Sequence, residues 1–299
     1  MQRSESEPAT SRRSHWTIQQ LLVWATEDFR RRHFDSPRLD ADLLLAEALG
    51  VDRIQLIVDR ERLLSPEELS RFRGLVRRRR TGEPVAYILG QREFYGLVFR
   101  VDRRVLIPRP DTETLVDVAL QRTRRRYLFG RAADLCTGCG CVAIAFARQR
   151  PTWQVTAVDI ASDAVAVARD NALRLGAVPT VRLRVGNLLA PLPEHERLDL
   201  IVANPPYVPT SEYESLEAPI RDFEPRVALD GGPDGLAVTT QIIRDAPTRL
   251  APAGVLALEV GSDQGDRVAA AMAQAGLAQI ARHRDYAGRE RVVSAQQPN

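Results

Sequence analysis

From residue 132 onward, short apolar runs alternate with helical stretches, and this alternation restricts the fold more than any other feature of the chain. Runs at 132–135, 155–159, 181–185, 198–203 and 255–260 are short and mostly apolar, as expected of strands covered on both faces. Helical patterning fills the gaps at 141–148, 162–175, 236–250 and 264–275, with Ser162 placed to cap the second of these. Residues 277–294 read as two further strands. Alternating strands and helices call for a mostly parallel sheet with helices on both sides. The predicted class is therefore α/β, a Rossmann-like domain with its ligands at the carboxyl ends of the strands.

The preceding part has a different period. Leu21, Leu22, Ala25 and Phe29 recur at helical spacing. A second helix over 40–49 stops at Gly50, and Ser65-Pro66-Glu67-Glu68 opens a third. That helix ends in Arg77 to Arg80, which suit the helix dipole and read as a solvated end. Residues 87–90 and 94–101 read as strands around turns, and Pro108 and Pro110 precede a helix over 112–125. The expected division is a disordered tail at 1–14, a small helical domain at 15–86, a β-hairpin linker at 87–107 and the α/β domain at 108–299.

Bulk properties exclude several classes. No run of about 18 apolar residues is present, so no membrane span is expected. The first 14 residues lack the apolar core of a secretion signal, which makes a cytoplasmic protein the expectation. A net charge of +3 does not demand nucleic acid, and nothing points beyond a monomer. Every cationic side chain is arginine, which rules out a lysine Schiff base or lysine general base. Cys136, Cys139 and Cys141 are too clustered for a disulfide framework. Cys136-x-x-Cys139 has metal-ligand spacing, but His15, His33, His195 and His283 are scattered, so no metal is expected. Two readings of these cysteines stay open. The start of a helix can stabilise a thiolate, which would make them reactive and ligand-protected, or they are buried small hydrophobes.

Cys136-Thr137-Gly138-Cys139-Gly140 lies between a strand and a helix, where glycine lets the backbone approach a ligand. Asp159 ends the next strand, 19 positions after Gly140. A carboxylate there can accept from both hydroxyls of a ribose. Loop and acid together indicate a nucleoside cofactor, and S-adenosylmethionine (SAM) and NAD both qualify.

Asn204-Pro205-Pro206-Tyr207 follows the apolar run Leu200-Ile201-Val202-Ala203 and falls at the same sheet edge. Its residue types suit methylation of a planar amine. An amide nitrogen is a poor nucleophile with two N–H donors. The Asn204 side-chain oxygen and the Pro205 carbonyl can accept one each and aim the nitrogen at a methyl donor. As positive charge develops on that nitrogen, the two carbonyl dipoles stabilise it. Two prolines stiffen the turn, and Tyr207 can pack on the planar group. No general base is needed before transfer.

Taken together, these segments resemble the HemK/PrmC family, the glutamine methyltransferases of peptide-chain release factors. The likeness runs from about Trp16 to the C-terminus. It rests on Gly82 to Ile88, Phe94-Tyr95-Gly96, Ile107 to Glu113, the Gly-rich loop, Asn204 to Tyr207, Phe223 to Arg226, Leu229 to Gly232 and Gly288 to Arg291. The resemblance implies a helical domain that docks the release factor, and a Gly-Gly-Gln glutamine as substrate. It implies SAM held by Cys136, Thr137, Gly138, Cys139 and Gly140, with Asp159 on the ribose and Asn187 and Leu188 flanking the adenine. Asn204 to Tyr207 would grip the glutamine amide, Asn204 also facing the cofactor. Arg109, Thr112 and Glu113 would border the cofactor site. Two departures stand out. The family loop usually has glycine and serine where Cys136 and Cys139 stand, and often aspartate where Asn187 stands.

Two related activities share parts of this pattern. A sister enzyme methylates a glutamine of a large-subunit ribosomal protein, but its proline segment usually differs from Pro108 to Glu113. DNA adenine methyltransferases also use Asn-Pro-Pro-Tyr, yet need base flipping and a DNA-reading surface. The arginine runs at 77–80 and 122–126 are the features that would favour DNA. A non-enzymatic SAM sensor would have no use for a motif that grips an amine.

Overall fold

The computed structural model describes residues 16–126 and 128–299, so the tail expected at 1–14 lies outside the described residues. The chain divides into two units, Met1–Leu89 and Gly90–Asn299.

The first unit is helical: α1 (Ile18–Arg31), α2 (Pro37–Leu49), α3 (Arg53–Val58), α4 (Pro66–Arg80) and α5 (Val85–Leu89). Helices α1 and α4 each begin with a reciprocal capping box. Thr17 and Gln20 close α1, and Ser65 and Glu68 close α4, each pair satisfying two end N–H groups. Gly50 ends α2 in the left-handed conformation, at φ 68°. Leu21, Leu22, Phe29, Leu44, Leu45, Phe72 and Val76 form the core.

Two sequence expectations fail in this unit. Residues 87–89 are helical in α5 and not a strand, because Pro84 starts a turn that the backbone continues. The arginines that end α4 are not simply solvated. Arg79 is buried, pairs with Asp40 at 2.8 Å and lies over the Phe34 ring. Arg78 forks onto both oxygens of Glu83 and reaches the carbonyls of Tyr87 and Ile88, and Arg80 pairs with Asp28. Three of the four thus staple α4 to its neighbours. Removing one partner of a buried pair such as Asp40–Arg79 typically costs about 3–5 kcal/mol.

The second unit opens with a hairpin, β1 (Gln91–Phe94) and β2 (Leu97–Arg100). It is held to the rest of the unit by Asn171, which is fully buried. The Asn171 side chain accepts from Arg100 N and donates to Arg100 O and Cys139 O. Then follow a 3₁₀ turn at Pro110–Thr112, α6 (Glu113–Arg122), β3 (Arg131–Leu135), α7 (Cys141–Gln149), β4 (Gln154–Asp159) and α8 (Ser162–Arg174). The chain continues through β5 (Val181–Val185), β6 (Leu198–Ala203), α9 (Ala218–Arg221), α10 (Ala237–Arg249), β7 (Leu250–Glu259), α11 (Gly265–Gln274), β8 (Ala278–Arg284) and β9 (Glu290–Gln296).

The sheet order is β5-β4-β3-β6-β7-β9-β8, parallel except for β9 against β7 and β8 against β9. Strand order reverses between β3 and β6, and such a switch point leaves a ligand crevice at the carboxyl ends. Ser162 does not cap α8. It is the first helical residue, after Ala161. β7 starts five residues earlier than its apolar run because Leu250 already pairs with Leu198 across a register shift.

Candidate active site

Register brings the site together. Leu135 is level with Val158 on one side and with Ala203 on the other, and Ala203 is level with Leu258. The next residue on each strand is Cys136, Asp159, Asn204 or Glu259. Four chemically distinct groups, up to 123 positions apart along the chain, therefore line one carboxyl edge. Cys136, Asp159 and Asn204 border a cavity of about 520 Å³, which is in the range of small-molecule sites, and Glu259 lies beside Asn204.

The Gly-rich loop is pinned from below. Thr137 N donates to Val158 O, and Gly138 N donates to Asp159 Oδ2 at 2.9 Å. The Thr137 hydroxyl and Ala143 N both donate to Asp134 Oδ2, at 2.5 and 3.1 Å. Gly138 sits at φ 54° with nothing within 4 Å of where a Cβ would be, so its open side can receive a ligand. Gly140 caps α7 at φ 82° and is packed on Ala168 and Ile144. Cys136 is also left-handed, at φ 58°, which explains why the family loop prefers glycine there.

Burial sets the electrostatics. It pushes the Asp134 carboxyl up to about 7 against the bonds from Thr137 and Ala143, with Asp159 adding to the rise. It also raises the Asp159 carboxyl, against bonds from Ala161 and Gly138. The Cys136 thiol is raised by burial and by the charges of Asp159 and Asp134. Cys141 is raised by its bond with Cys139 and then by burial. At Cys141, the first residue of α7, the helix N-terminus does not win: the bond with Cys139, burial and the Asp134 charge oppose a thiolate, which favours the small-hydrophobe reading.

Asn204 Nδ2 donates to Thr112 Oγ1 at 3.3 Å. Among the described residues, Asn204 Oδ1 and the Pro205 carbonyl accept no hydrogen bond, so both acceptors are uncommitted. The loop around them is clamped. Gln264 Nε2 donates to Tyr207 O at 2.9 Å, Val208 N to Leu229 O and Gly231 N to Val208 O. The Tyr207 phenol is pushed up to about 12, first by burial and then by Glu259, so it is neutral.

A second clamp joins two of the sequence segments. Glu224, nearly fully buried, accepts from Ile107 N at 3.1 Å and from Arg109 Nη2. Arg103 covers the Phe223 ring at 4.6 Å. Ile107 to Glu113 and Phe223 to Arg226 thus act as one wall.

Of the sequence-derived residues, Cys136, Thr137, Gly138, Cys139, Asp159, Asn187, Leu188, Asn204, Pro206, Arg109 and Thr112 line the cavity. Gly140, Pro205, Tyr207 and Glu113 do not. Gly140 holds the helix start, and Glu113 accepts from Tyr95 N at 2.8 Å instead. Asn187 is exposed, and with Leu188 it lies beyond the end of β5 and not within it. Asn171, Glu259 and Gln264 escaped the sequence reading, and Asp134, at the head of the Gly-rich loop, had no role assigned to it. For Glu259 a signal existed: a single acid inside an otherwise apolar run, Val255 to Val260.

Comparison with known proteins agrees with this architecture. Residues 20–90 match the family described as PrmC N-terminal domain, and residues 111–219 the methyltransferase small domain. The chain is 43% identical over 278 residues to a release factor glutamine methyltransferase of Geobacter sulfurreducens, covering 93% of this chain and 96% of that protein. It is 40% identical over 292 residues to the one of Rhodopirellula baltica, covering 96% and 98%. Among solved structures, a methyltransferase from Pyrococcus furiosus superposes with a TM-score of 0.51 at 18% identity, covering 69% of this chain and 91% of that one, a likeness of fold. Near-complete coverage at this identity, together with the loop, the acid and the Asn-Pro-Pro-Tyr turn at one sheet edge, means that the chain belongs to the release factor glutamine methyltransferase family.

Proposed function

We propose that this protein transfers a methyl group from SAM to the side-chain amide nitrogen of a glutamine in the Gly-Gly-Gln motif of a peptide-chain release factor. One observation carries the reading: the Asn204 amide spends its NH₂ on Thr112 and keeps its oxygen uncommitted at the cavity. A planar NH₂ group is what such an acceptor, with the Pro205 carbonyl beside it, would hold.

The residues present fit SAM. The open face of Gly138, the Asp159 carboxylate and the turn at Asn187 and Leu188 surround the cavity where the nucleoside would lie. SAM supplies an electrophilic methyl group when bound. The chain's own part is to aim the amide nitrogen, remove the site from water and oppose developing positive charge with fixed carbonyl dipoles. Tyr207, neutral and half-buried, offers its ring to the planar group. The helical first unit docks the release factor, the enzyme acts as a monomer in the cytoplasm, and nucleic acid is not required. Removal of residues 16–86 should then raise KM for the release factor and spare SAM binding. Among the described residues no helix is long and apolar enough to cross a membrane.

The deciding experiment offers release factor, ribosomes and DNA as rival acceptors for labelled methyl groups. Label should appear on the release-factor glutamine. Asn204→Ala should lose roughly two to three powers of ten in rate, the scale of one preorganised polar contact, with little change in SAM affinity. Label on ribosomal protein or DNA, or an unimpaired Asn204→Ala, would overturn the reading.

A further inference from the structure

Glu259 ends β7 and is 1% exposed. Its Oε2 has no hydrogen-bond partner among the described residues. Buried polar groups are ordinarily satisfied, so a carboxyl kept this way at the edge of an active site calls for a reason. The register of Ala203 with Leu258 makes Asn204 and Glu259 lateral neighbours. Thr112, 2% exposed, is bonded to the first and favours the charged form of the second. Its Oγ1 accepts from Asn204 Nδ2, and its hydroxyl stabilises the charged form of Glu259.

A hydroxyl has one proton to give. While that proton points to Glu259, Thr112 shows Asn204 only lone pairs. Asn204 must then turn its NH₂ to Thr112, which leaves its oxygen for the substrate. We propose that Glu259 is a positioning residue: acting through the Thr112 hydroxyl, it fixes which way round the Asn204 amide sits. This rests on Asn204 being the grip for the glutamine amide.

The arrangement is reversible by protonation. A protonated Glu259 donates to Thr112, whose own proton turns toward Asn204. The Asn204 amide then favours the flipped orientation and presents N–H to the N–H donors of the substrate. The charged and titratable groups around Glu259 are Arg291 on β9, Arg109 and Asp111 on the segment before α6, and Tyr207 after β6. Burial is the largest influence and Asp111 adds to it, while Thr112, Arg291 and Arg109 favour the charged form; the balance pushes Glu259 up to about 7. The ionised form is the active one, so turnover should fall as pH drops through about 7.

The test uses the full chain and release factor. Thr112→Val should lower kcat by roughly 100-fold with SAM affinity unchanged, a misplacement effect, and Thr112→Ser should restore it. Glu259→Gln should abolish the acid limb of the kcat profile. Wild-type kcat in Thr112→Val, or an intact limb in Glu259→Gln, overturns the proposal. A second readout needs no turnover: the side-chain amide resonances of Asn204 in ¹⁵N-asparagine-labelled protein, identified by their loss in Asn204→Ala. They should move with pH through the same range in the wild type and stay still in Glu259→Gln. Resonances insensitive to pH in the wild type overturn the relay whatever the acceptor is. A pH-dependent resonance without methylation of release factor supports the relay and rejects the function assigned above.

Discussion

Gly231 lies directly behind Pro206: a Cβ on Gly231 would stand 2.6 Å from the Pro206 carbonyl oxygen and 2.7 Å from that of Gly235. Both neighbours are backbone, so neither can swing aside. Gly231→Ala should push the Asn-Pro-Pro-Tyr turn off the sheet edge and cost about 1–3 kcal/mol, the range of overpacking. Thermal unfolding should show the loss, and methyl transfer should fall more than SAM binding. A variant of native stability and rate would show that the turn tolerates displacement.

Asp159 has two duties that one substitution separates only in part. Its carboxylate holds Gly138 N and Ala161 N, each at 2.9 Å, and in the proposed function it also meets the cofactor ribose. Asp159→Ala should weaken SAM binding by about 1.5–3 kcal/mol, the scale of hydrogen bonds to a charged group. Titration calorimetry decides this. An unchanged affinity would remove Asp159 from the cofactor site, and NAD binding in place of SAM would revive the dinucleotide alternative.

Asp134 should leave a signature in the pH dependence of stability. Its carboxyl moves from 3.8 to about 7 on burial in the folded chain. Between those values the folded state binds more protons than the unfolded state. Stability is therefore fully present below about 4 and declines as pH rises toward about 7. Glu259 is shifted in the same direction and adds to the slope. Asp134→Asn keeps an acceptor oxygen but carries no charge, so its urea midpoint should vary less over this window. Equal slopes in both proteins would mean that Asp134 stays ionised throughout.

The three thiols should resist alkylation. Cys139 and Cys141 are buried, and the Cys136 thiol is held up by burial and by Asp159 and Asp134. Mass spectrometry of the native protein treated with a thiol reagent near neutral pH should find slow labelling compared with the unfolded chain. Rapid labelling of Cys136 that SAM suppresses would restore the reactive-thiolate reading.

The class of fold is legible along the chain, because buried parallel strands must be short apolar runs and amphipathic helices must alternate with them. The loop, the acid and the Asn-Pro-Pro-Tyr turn are legible there too, since their chemistry lies in contiguous residues. The local pattern misleads at 87–89, where an apolar run too short to show its period is helix, and at 77–80, where charged side chains are paired and partly buried. Glu259 and Gln264 were visible as residues but not as neighbours of Asn204 and Tyr207. Those relationships arise from the packing of strands distant along the chain. Strand order and register place Leu135, Val158, Ala203 and Leu258 level with one another, and that lateral alignment has no trace in the spacing along the chain. The direction of each hydrogen bond from Asn204 through Thr112 depends on what is buried beside it, a property of the packed interior and not of any one segment.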